Sequence, residues 1–413
     1  MIPAEKKMDW ARADFALLAC ILLLIILGAA TIYSASSYRM EMKFGNSEYY
    51  FTKQLVRAFI GLLLMFFIAK RDYRKWLADR WILFGVSLFL LAVLLVRIPG
   101  ITPRNGAYSW INLYFFMFQP SDFARYALIL LLAGQLHLWR DELDDINRYA
   151  ILFGLTLAIA GPIALQHDMG TAALTLLIAF TMFILAEVRI SYSIIAGLST
   201  LSLALLYISV NPYMIKRLTD HLHSTGGEMH PHLKQSLIAL AQGGLIGQGI
   251  GGSHQKYLFL PEAHNDFIFA MIGEEYGLIG TVGVLLLFLV VVHRGLTIAR
   301  QAPDLAGRYL AGGITACYAS YAFINAGVVV GLLPTTGIPM PFLSYGGTSL
   351  VTHLCALGLL LNISAQGSPA FAASPGWREY KQRVEERAFP APVRTAAHRG
   401  AVRKTVALRR SYR

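Results

Sequence analysis

Ten apolar runs, each close to the ~20 residues an α-helix needs to cross a bilayer, dominate this 413-residue chain. They lie near 14–33, 54–70, 81–98, 121–138, 148–166, 170–187, 191–211, 266–293, 308–333 and 347–366. Only helices and closed barrels satisfy every backbone polar group in lipid, and runs of this length specify helices. The expected class is therefore all-α and polytopic, with about ten transmembrane helices. Composition agrees: 56% of residues are hydrophobic and 15% are charged, which no soluble domain of this length needs. The first run is too long for a cleaved leader although Ser34-Ala35-Ser36 follows it, so it reads as an uncleaved anchor. Cys20, Cys317 and Cys355 sit far apart in apolar stretches and read as small hydrophobes, with neither disulfide nor metal spacing. No internal repeat is evident, so nothing points to an inverted-repeat transporter.

Lys and Arg set the orientation. Lys6, Lys7 and Arg12 precede the first run. Lys70, Arg71, Arg74, Lys75 and Arg80 follow the second, and Arg294 and Arg300 follow the eighth. The tail from Gly367 carries 11 Lys/Arg against 3 Glu, eight of the chain's twelve net positive charges. With ten spans all of these fall on one side, which should be the cytoplasm, together with both termini. The chain then divides into a membrane domain, 1–366, and a basic Pro/Ala/Arg-rich tail, 367–413, of a composition that does not bury a core. This charge is a topology and lipid-surface signal rather than a nucleic-acid footprint. The longest loop, about 212–265, and those at 98–120 and 334–346 lie outside.

The outer face holds the unusual chemistry. Leu260-Pro-Glu262-Ala-His264-Asn-Asp266 brings a carboxylate to the start of the eighth run, and Glu274 and Glu275 follow inside it. A carboxylate at membrane depth costs roughly 3 kcal/mol on insertion scales, so a stretch with three acids points to use of one. Asp266 or Asn265 also has a plain alternative, capping the eighth helix; the residues alone divide evenly between cap and general base. Glu274 and Glu275 lie about 12–14 Å deeper at 1.5 Å per residue, too far to share a proton transfer with Asp266, and are expected to bind donors on neighbouring helices. Small residues Ala270, Gly273, Gly277 and Gly280 on that run, and Ala311-Gly-Gly313 on the next, allow close helix approach, either within the bundle or by a partner span.

In the 98–120 loop, Arg104 precedes Trp110, and Gln119-Pro-Ser121-Asp122 reads as a helix start. Asp122 and Arg125 are either a local pair at spacing three near the membrane surface, or Arg125 faces an anionic headgroup in the bundle interior. Gln166-His-Asp168-Met-Gly-Thr171 is a tight turn in which Asp168 suits a cap for the next helix. His221 to His232 contains two His-x-His pairs, with Glu228 between them; solvated loop histidines are commoner than a zinc site. Gln235-Ser236 opens an amphipathic segment that runs into a Gly-rich loop ending at Lys256. Its glycines permit either turns or close approach to a phosphate, and no Walker lysine–serine pair follows. Pro341-Phe-Leu-Ser344-Tyr345-Gly346-Gly347 ends an irregular stretch that must line a cavity or be buried in protein at a membrane face.

Six of these segments recur in order: Gln119-Pro-Ser, Gln166-x-Asp168-x-Gly170-Thr171, Gln235-Ser, Leu260-Pro-Glu-x-His-x-Asp266-Phe, Glu274-Glu275-x-Gly277 and Pro341-x-x-Ser344-Tyr345-Gly346-Gly347. Together they resemble the SEDS proteins (shape, elongation, division and sporulation; FtsW, RodA and SpoVE), membrane glycosyltransferases of peptidoglycan, over residues 10 to 366. Gln255-Lys256 and the run after Gln235 look most like the FtsW, or division, branch. The chain departs from the family pattern at Ser109, where an Arg usually precedes the Trp, and at Asp122 and Arg125, where Glu and Lys are usual. It departs again at His167, in place of Pro, and at Asn265, in place of Thr or Ser.

The resemblance implies polymerisation of lipid II, a disaccharide-pentapeptide on an undecaprenyl diphosphate, with inversion at the donor's anomeric carbon. It makes Asp266 the general base. Arg104, Gln119, Ser121, Arg125, Asp168, Gln235, Ser236, Lys256, Glu262, His264, Ser344, Tyr345, Gly346 and Gly347 become substrate-binding, and Glu274 and Glu275 supporting. A divalent cation, Mg or Mn, is an expected cofactor that the sequence does not display. Expected partners are a class B penicillin-binding protein, a transpeptidase, and other divisome or elongasome membrane proteins. The expected location is the bacterial inner membrane, at the division septum. A lipid II flippase and a non-catalytic scaffold are the competing classes, and polymerisation of lipid II by purified protein separates the first reading from both.

Overall fold

The computed structural model describes residues 10–96, 108–112, 117–210, 215, 231–257, 260 and 263–367. Arg104, Glu262, the His-rich stretch up to position 230 and the basic tail lie outside the described residues. Twelve helices are described: α1 Phe15–Phe44, α2 Tyr49–Lys70, α3 Tyr73–Ala78, α4 Arg80–Leu95, α5 Pro120–Leu138, α6 Ile146–Leu165, α7 Met169–Leu185, α8 Ile190–Val210, α9 Pro231–Gly243, α10 Ile268–Gln301, α11 Leu305–Val329 and α12 Ser349–Gln366. A two-stranded antiparallel ribbon, β1 Ile111–Asn112 and β2 Met117–Phe118, pairs Ile111 with Phe118.

Ten of the helices, all but α3 and α9, coincide with the ten apolar runs. Several differ in extent: α1 reaches Phe44, α2 begins at Tyr49, and α10 reaches Gln301. Aspartates start many of them by accepting an orphan backbone N–H. Asp14 accepts from Leu17 at 2.9 Å, Asp168 from Thr171 at 3.1 Å and Asp304 from Gly307 at 2.8 Å, while α5 begins with Pro120 at its first turn.

By length and composition six helices suit a membrane crossing, and α4 and α7 are shorter apolar helices. The remaining two, α5 and α11, carry Asp122, Arg125, Gln135, Arg308 and Asn325. They are tolerated because they are central: every α5 residue from Ala124 to Leu136 is buried, and α11 packs on α5, α7 and α10. Polar groups at membrane depth belong inside a bundle, not on its lipid face. At the other extreme, α8 is almost wholly exposed.

The small residues of α11 face inward. A Cβ on Gly312 would lie 2.7 Å from Leu185 of α7, and one on Gly313 2.8 Å from Ile129 of α5. Of the two uses open to Ala311-Gly-Gly313, packing within the bundle or contact with a partner span, these two glycines serve internal packing. Gly273 of α10 likewise approaches Leu240 of α9.

One helix is interrupted. At Gly277, α10 takes φ 66° and ψ −160°, backbone that only glycine adopts without strain. The loop after α9 inserts there. Gln248 and Gly249 donate their N–H groups to the Glu274 and Glu275 carbonyls at 2.9 and 3.0 Å, while Leu278 and Ile279 donate to the Gly244 and Leu245 carbonyls at 2.9 and 3.2 Å. The two i→i−4 bonds lost at the break are replaced one for one, which is what irregular backbone at membrane depth requires. The Gly-rich loop thus uses its glycines to approach a helix: a Cβ on Gly247 would lie 2.1 Å from the Glu275 carbonyl oxygen.

Candidate functional site

Asp266 lies in the turn 263–267 that leads into α10. The N-cap position is Phe267, whose side chain accepts no hydrogen bond, so Asp266 does not occupy the cap. Its backbone carbonyl accepts from Asn325 Nδ2 of α11 at 2.8 Å, and the same amide nitrogen donates to the Ile338 carbonyl at 2.8 Å. Asn325 therefore ties the turn to the irregular 334–347 segment. The carboxylate of Asp266 is half-buried and faces Gly337, where an added Cβ would lie 3.7 Å from Oδ2.

The 334–347 segment closes over this turn. Tyr345 donates its backbone N–H to the His264 carbonyl at 2.8 Å. His264 is buried and stacks on Tyr50 of α2 at 4.7 Å, and Tyr50 meets Tyr345 at 4.5 Å. Arg57 of α2 lies over the Tyr345 ring at 4.5 Å. Burial raises the Tyr345 phenol above its ordinary pKa, against the lowering effect of Arg57. Gln54 donates to the Ser344 carbonyl at 3.3 Å, and Ser344 Oγ accepts from Met340 N–H at 2.8 Å. The Ser344 hydroxyl thus shapes its own turn. Gly347 lets β2 approach: a Cβ there would lie 2.7 Å from the Met117 carbonyl oxygen.

A second polar group lies at the start of α5. Asp122 accepts from Thr348 at 3.2 Å and from Tyr321 at 3.4 Å, and pairs loosely with Arg125 at 3.5 Å. Arg125 lies over the Tyr321 ring at 4.7 Å, with Nε and Nη2 buried and without a hydrogen-bond partner. Of the two locations the residues allow, surface or bundle interior, the pair takes the interior, with Arg125 only 1% exposed. Gln119 donates its backbone N–H to Thr348 at 3.2 Å and its side-chain amide to Asp168 at 3.5 Å. Asp168 caps α7, and at Gly170 an added Cβ would lie 2.9 Å from the Thr336 carbonyl oxygen. Asp168, Gln119, Asp122 and Asp266 are thereby gathered around residues 334–348. Ser121 is buried beside them with its hydroxyl unpartnered.

The other sequence-selected residues lie elsewhere. Glu274 accepts from the Ser253 hydroxyl and from His254 N–H at 2.8 Å, and Glu275 accepts from the Ser34 hydroxyl of α1. Both carboxylates bind donors on neighbouring segments. Ser236 donates to the Val329 carbonyl at 2.8 Å, fixing α9 to the end of α11. Gln235 is half-buried beside it on α9. Lys256 donates to the Gly251 carbonyl and lies over Tyr257 at 5.2 Å. Among the described residues no three His, Cys, Asp or Glu side chains come together to hold a metal ion. Sequence reasoning missed Gln54, Arg57 and Asn325. Arg57 did carry a signal, a charge inside an apolar run; Asn325 had none beyond polarity.

Known proteins are similar to this chain over most of its length. The cell cycle protein family model, that of FtsW, RodA and SpoVE, matches residues 14–368. The chain is 40% identical over 355 residues to stage V sporulation protein E of Bacillus subtilis (strain 168), covering 85% of this chain and 96% of that protein. It is 38% identical over 363 residues to a probable peptidoglycan glycosyltransferase FtsW of Geobacter sp. (strain M18), covering 86% and 97%. Among solved structures it resembles a chain of a peptidoglycan synthase complex that coordinates polymerization and crosslinking, with TM-score 0.69, 27% identity and coverage of 85% and 97%. It also resembles the rod shape determining protein RodA of Thermus thermophilus, with TM-score 0.63, 27% identity and coverage of 85% and 96%. The chain therefore belongs to the cell cycle protein family of FtsW, RodA and SpoVE, the SEDS family that its motifs resemble.

Proposed function

We propose that this chain is a peptidoglycan glycosyltransferase that polymerises lipid II on the outer face of the cytoplasmic membrane, working with a transpeptidase in cell division or cell shape. The observation that carries this reading is the presentation of Asp266. A half-buried carboxylate stands at the mouth of the bundle, on a turn held through Asn325 and overlooked by the Tyr50–His264–Tyr345 cluster. A base held rigidly at a membrane interface suits a reaction whose substrate keeps its lipid in the bilayer and its sugars outside.

The reaction runs at two sugars. The 4-hydroxyl of an acceptor GlcNAc gives its proton to an Asp266 carboxylate oxygen as its own oxygen attacks the anomeric carbon of the donor MurNAc. That carbon's bond to the diphosphate oxygen breaks, and the lipid diphosphate leaves with the bonding electrons, so the configuration inverts. A positioned base contributes about 10²–10⁴-fold in rate.

Purified protein given lipid II tests this. Wild type is expected to make glycan polymer, and Asp266→Asn, which keeps the shape of the turn, to make none while unfolding at the wild-type temperature. Polymer from folded Asp266→Asn protein at the wild-type rate would refute the base; no polymer from wild type, alone or with a transpeptidase, would refute the reaction.

A further inference from the structure

Two turns inside α2, Arg57 makes no ion pair among the described residues, and its Nη1 is buried without a hydrogen-bond partner. A cation within a spanning helix is costly and marks a site whose partner should be named. The group it touches is the Tyr345 ring, 4.5 Å from its guanidinium carbon. One turn nearer the helix start, Lys53 donates to the Tyr49 hydroxyl at 2.6 Å and lies over that ring at 4.1 Å. Both cations are thus held on aromatic faces, which orients them without neutralising them.

Their position relative to Asp266 is defined by the intervening groups. Arg57 rests on Tyr345, Tyr345 donates to the carbonyl of His264, and His264 is two residues from Asp266. From Arg57 onward the same face of α2 is apolar and open to lipid: Ile60 is 45% exposed, Leu64 41% and Phe67 64%. The surface therefore offers two cations on side chains whose Cβ atoms lie about 6 Å apart at spacing four, above a lipid-facing hydrocarbon strip and linked through Tyr345 and His264 to the proposed base.

We propose that Lys53 and Arg57 seat a prenyl-linked diphosphate, the group that departs when Asp266 acts. This rests on the glycosyltransferase reading above. A guanidinium fork matches two phosphate oxygens, the lysine meets the adjacent phosphate, and Ile60, Leu64 and Phe67 lie along the prenyl chain. The deeply enclosed Arg125, by contrast, has no such lipid-facing strip continuing from it.

The test titrates undecaprenyl diphosphate, undecaprenol and inorganic diphosphate into the full chain in phosphatidylcholine nanodiscs. Wild type should bind the lipid diphosphate at least about tenfold more tightly than either control, and Arg57→Gln should lose about tenfold, the worth of one or two charge-assisted hydrogen bonds. Arg57→Lys should retain part of the affinity and Lys53→Gln should lose less than Arg57→Gln. Equal binding by wild type and Arg57→Gln, with unchanged unfolding temperature, would overturn the seat. So would no preference over undecaprenol, or displacement by phosphatidylglycerol at bulk-lipid ratios, which would assign these cations to ordinary anionic lipid. A parallel lipid II polymerisation assay, alone and with a transpeptidase, separates the two readings: binding with no polymer in either sinks the glycosyltransferase, and polymer with unaltered Arg57→Gln binding sinks only the seat.

Discussion

Asn325 fixes where the Asp266 turn stands. Its Nδ2 spans two carbonyls, Asp266 and Ile338, from segments more than seventy residues apart in the chain. Replacement by leucine removes both bonds and leaves two carbonyls unpartnered, at about 1–3 kcal/mol per buried group. Asn325→Leu should therefore lower the unfolding temperature moderately. Its polymerisation rate should fall on the order of 100-fold, since a displacement of about 1 Å at a catalytic group has that effect. Polymerisation kinetics beside thermal unfolding in detergent check this; a stable Asn325→Leu enzyme with the wild-type turnover would remove Asn325 from the account. Asp122 shows the same logic deeper in the bundle, because it is the one carboxylate within ion-pair distance of buried Arg125 among the described residues.

Two elements depend on a spliced backbone. α10 and the loop after α9 are joined through Gly277, and a Cβ at that position would lie 2.4 Å from the Gly247 nitrogen and 2.5 Å from the Leu245 carbonyl oxygen. Gly277→Ala should expel the loop, costing about 1–3 kcal/mol from backbone strain alone. Limited proteolysis between 244 and 256 should then be faster. Equal protease resistance in the variant would show that the splice is dispensable. At the opposite end of the bundle, α3, α11 and α12 meet on Arg74. It pairs with Asp304 at 2.8 Å and Asp72 at 3.2 Å and donates to Gln366 at 2.7 Å, and Tyr73 donates to Asp304 at 2.6 Å. Arg74→Met leaves buried carboxylates without their cation and should destabilise by about 3–5 kcal/mol, read as a lower midpoint of thermal unfolding; an unchanged midpoint would show that the network contributes little.

Asn46 precedes α2 and Lys75 follows it, so the two stand at opposite ends of that helix. The expectation from the Lys/Arg distribution is a cytoplasmic Lys75. Single cysteines introduced at these positions in a Cys-free background test that in intact cells, since an impermeant thiol reagent should label 46 and spare 75. Labelling of 75 alone would invert the topology. Addition of a cognate class B penicillin-binding protein should raise polymer yield, because a partner that prefers the productive arrangement of the outer loop increases its population. A confirmed complex with the turnover of the isolated chain would contradict that.

Hydropathy alone determined that the chain is a membrane helix bundle and where most spans fall, because lipid leaves backbone amides no partner outside a helix. Ordered motifs pointed to the family and to Asp266, since chemistry at a membrane interface needs polar residues that apolar runs otherwise exclude. The sequence also marked Glu274 and Glu275 as acids too deep to act with Asp266. Their actual partners, Ser253, His254 and Ser34, came from loops and helices distant in the chain. Only tertiary structure decided that α5 and α11 are central, that Asp122 and Arg125 take the interior of the two locations the sequence left open, and that the Gly-rich loop splices into α10. Only it brought Arg57 to Tyr345. Each of these depends on which helix faces rotate toward one another, and a one-dimensional pattern of apolar residues does not specify that when lipid and protein interior are equally apolar.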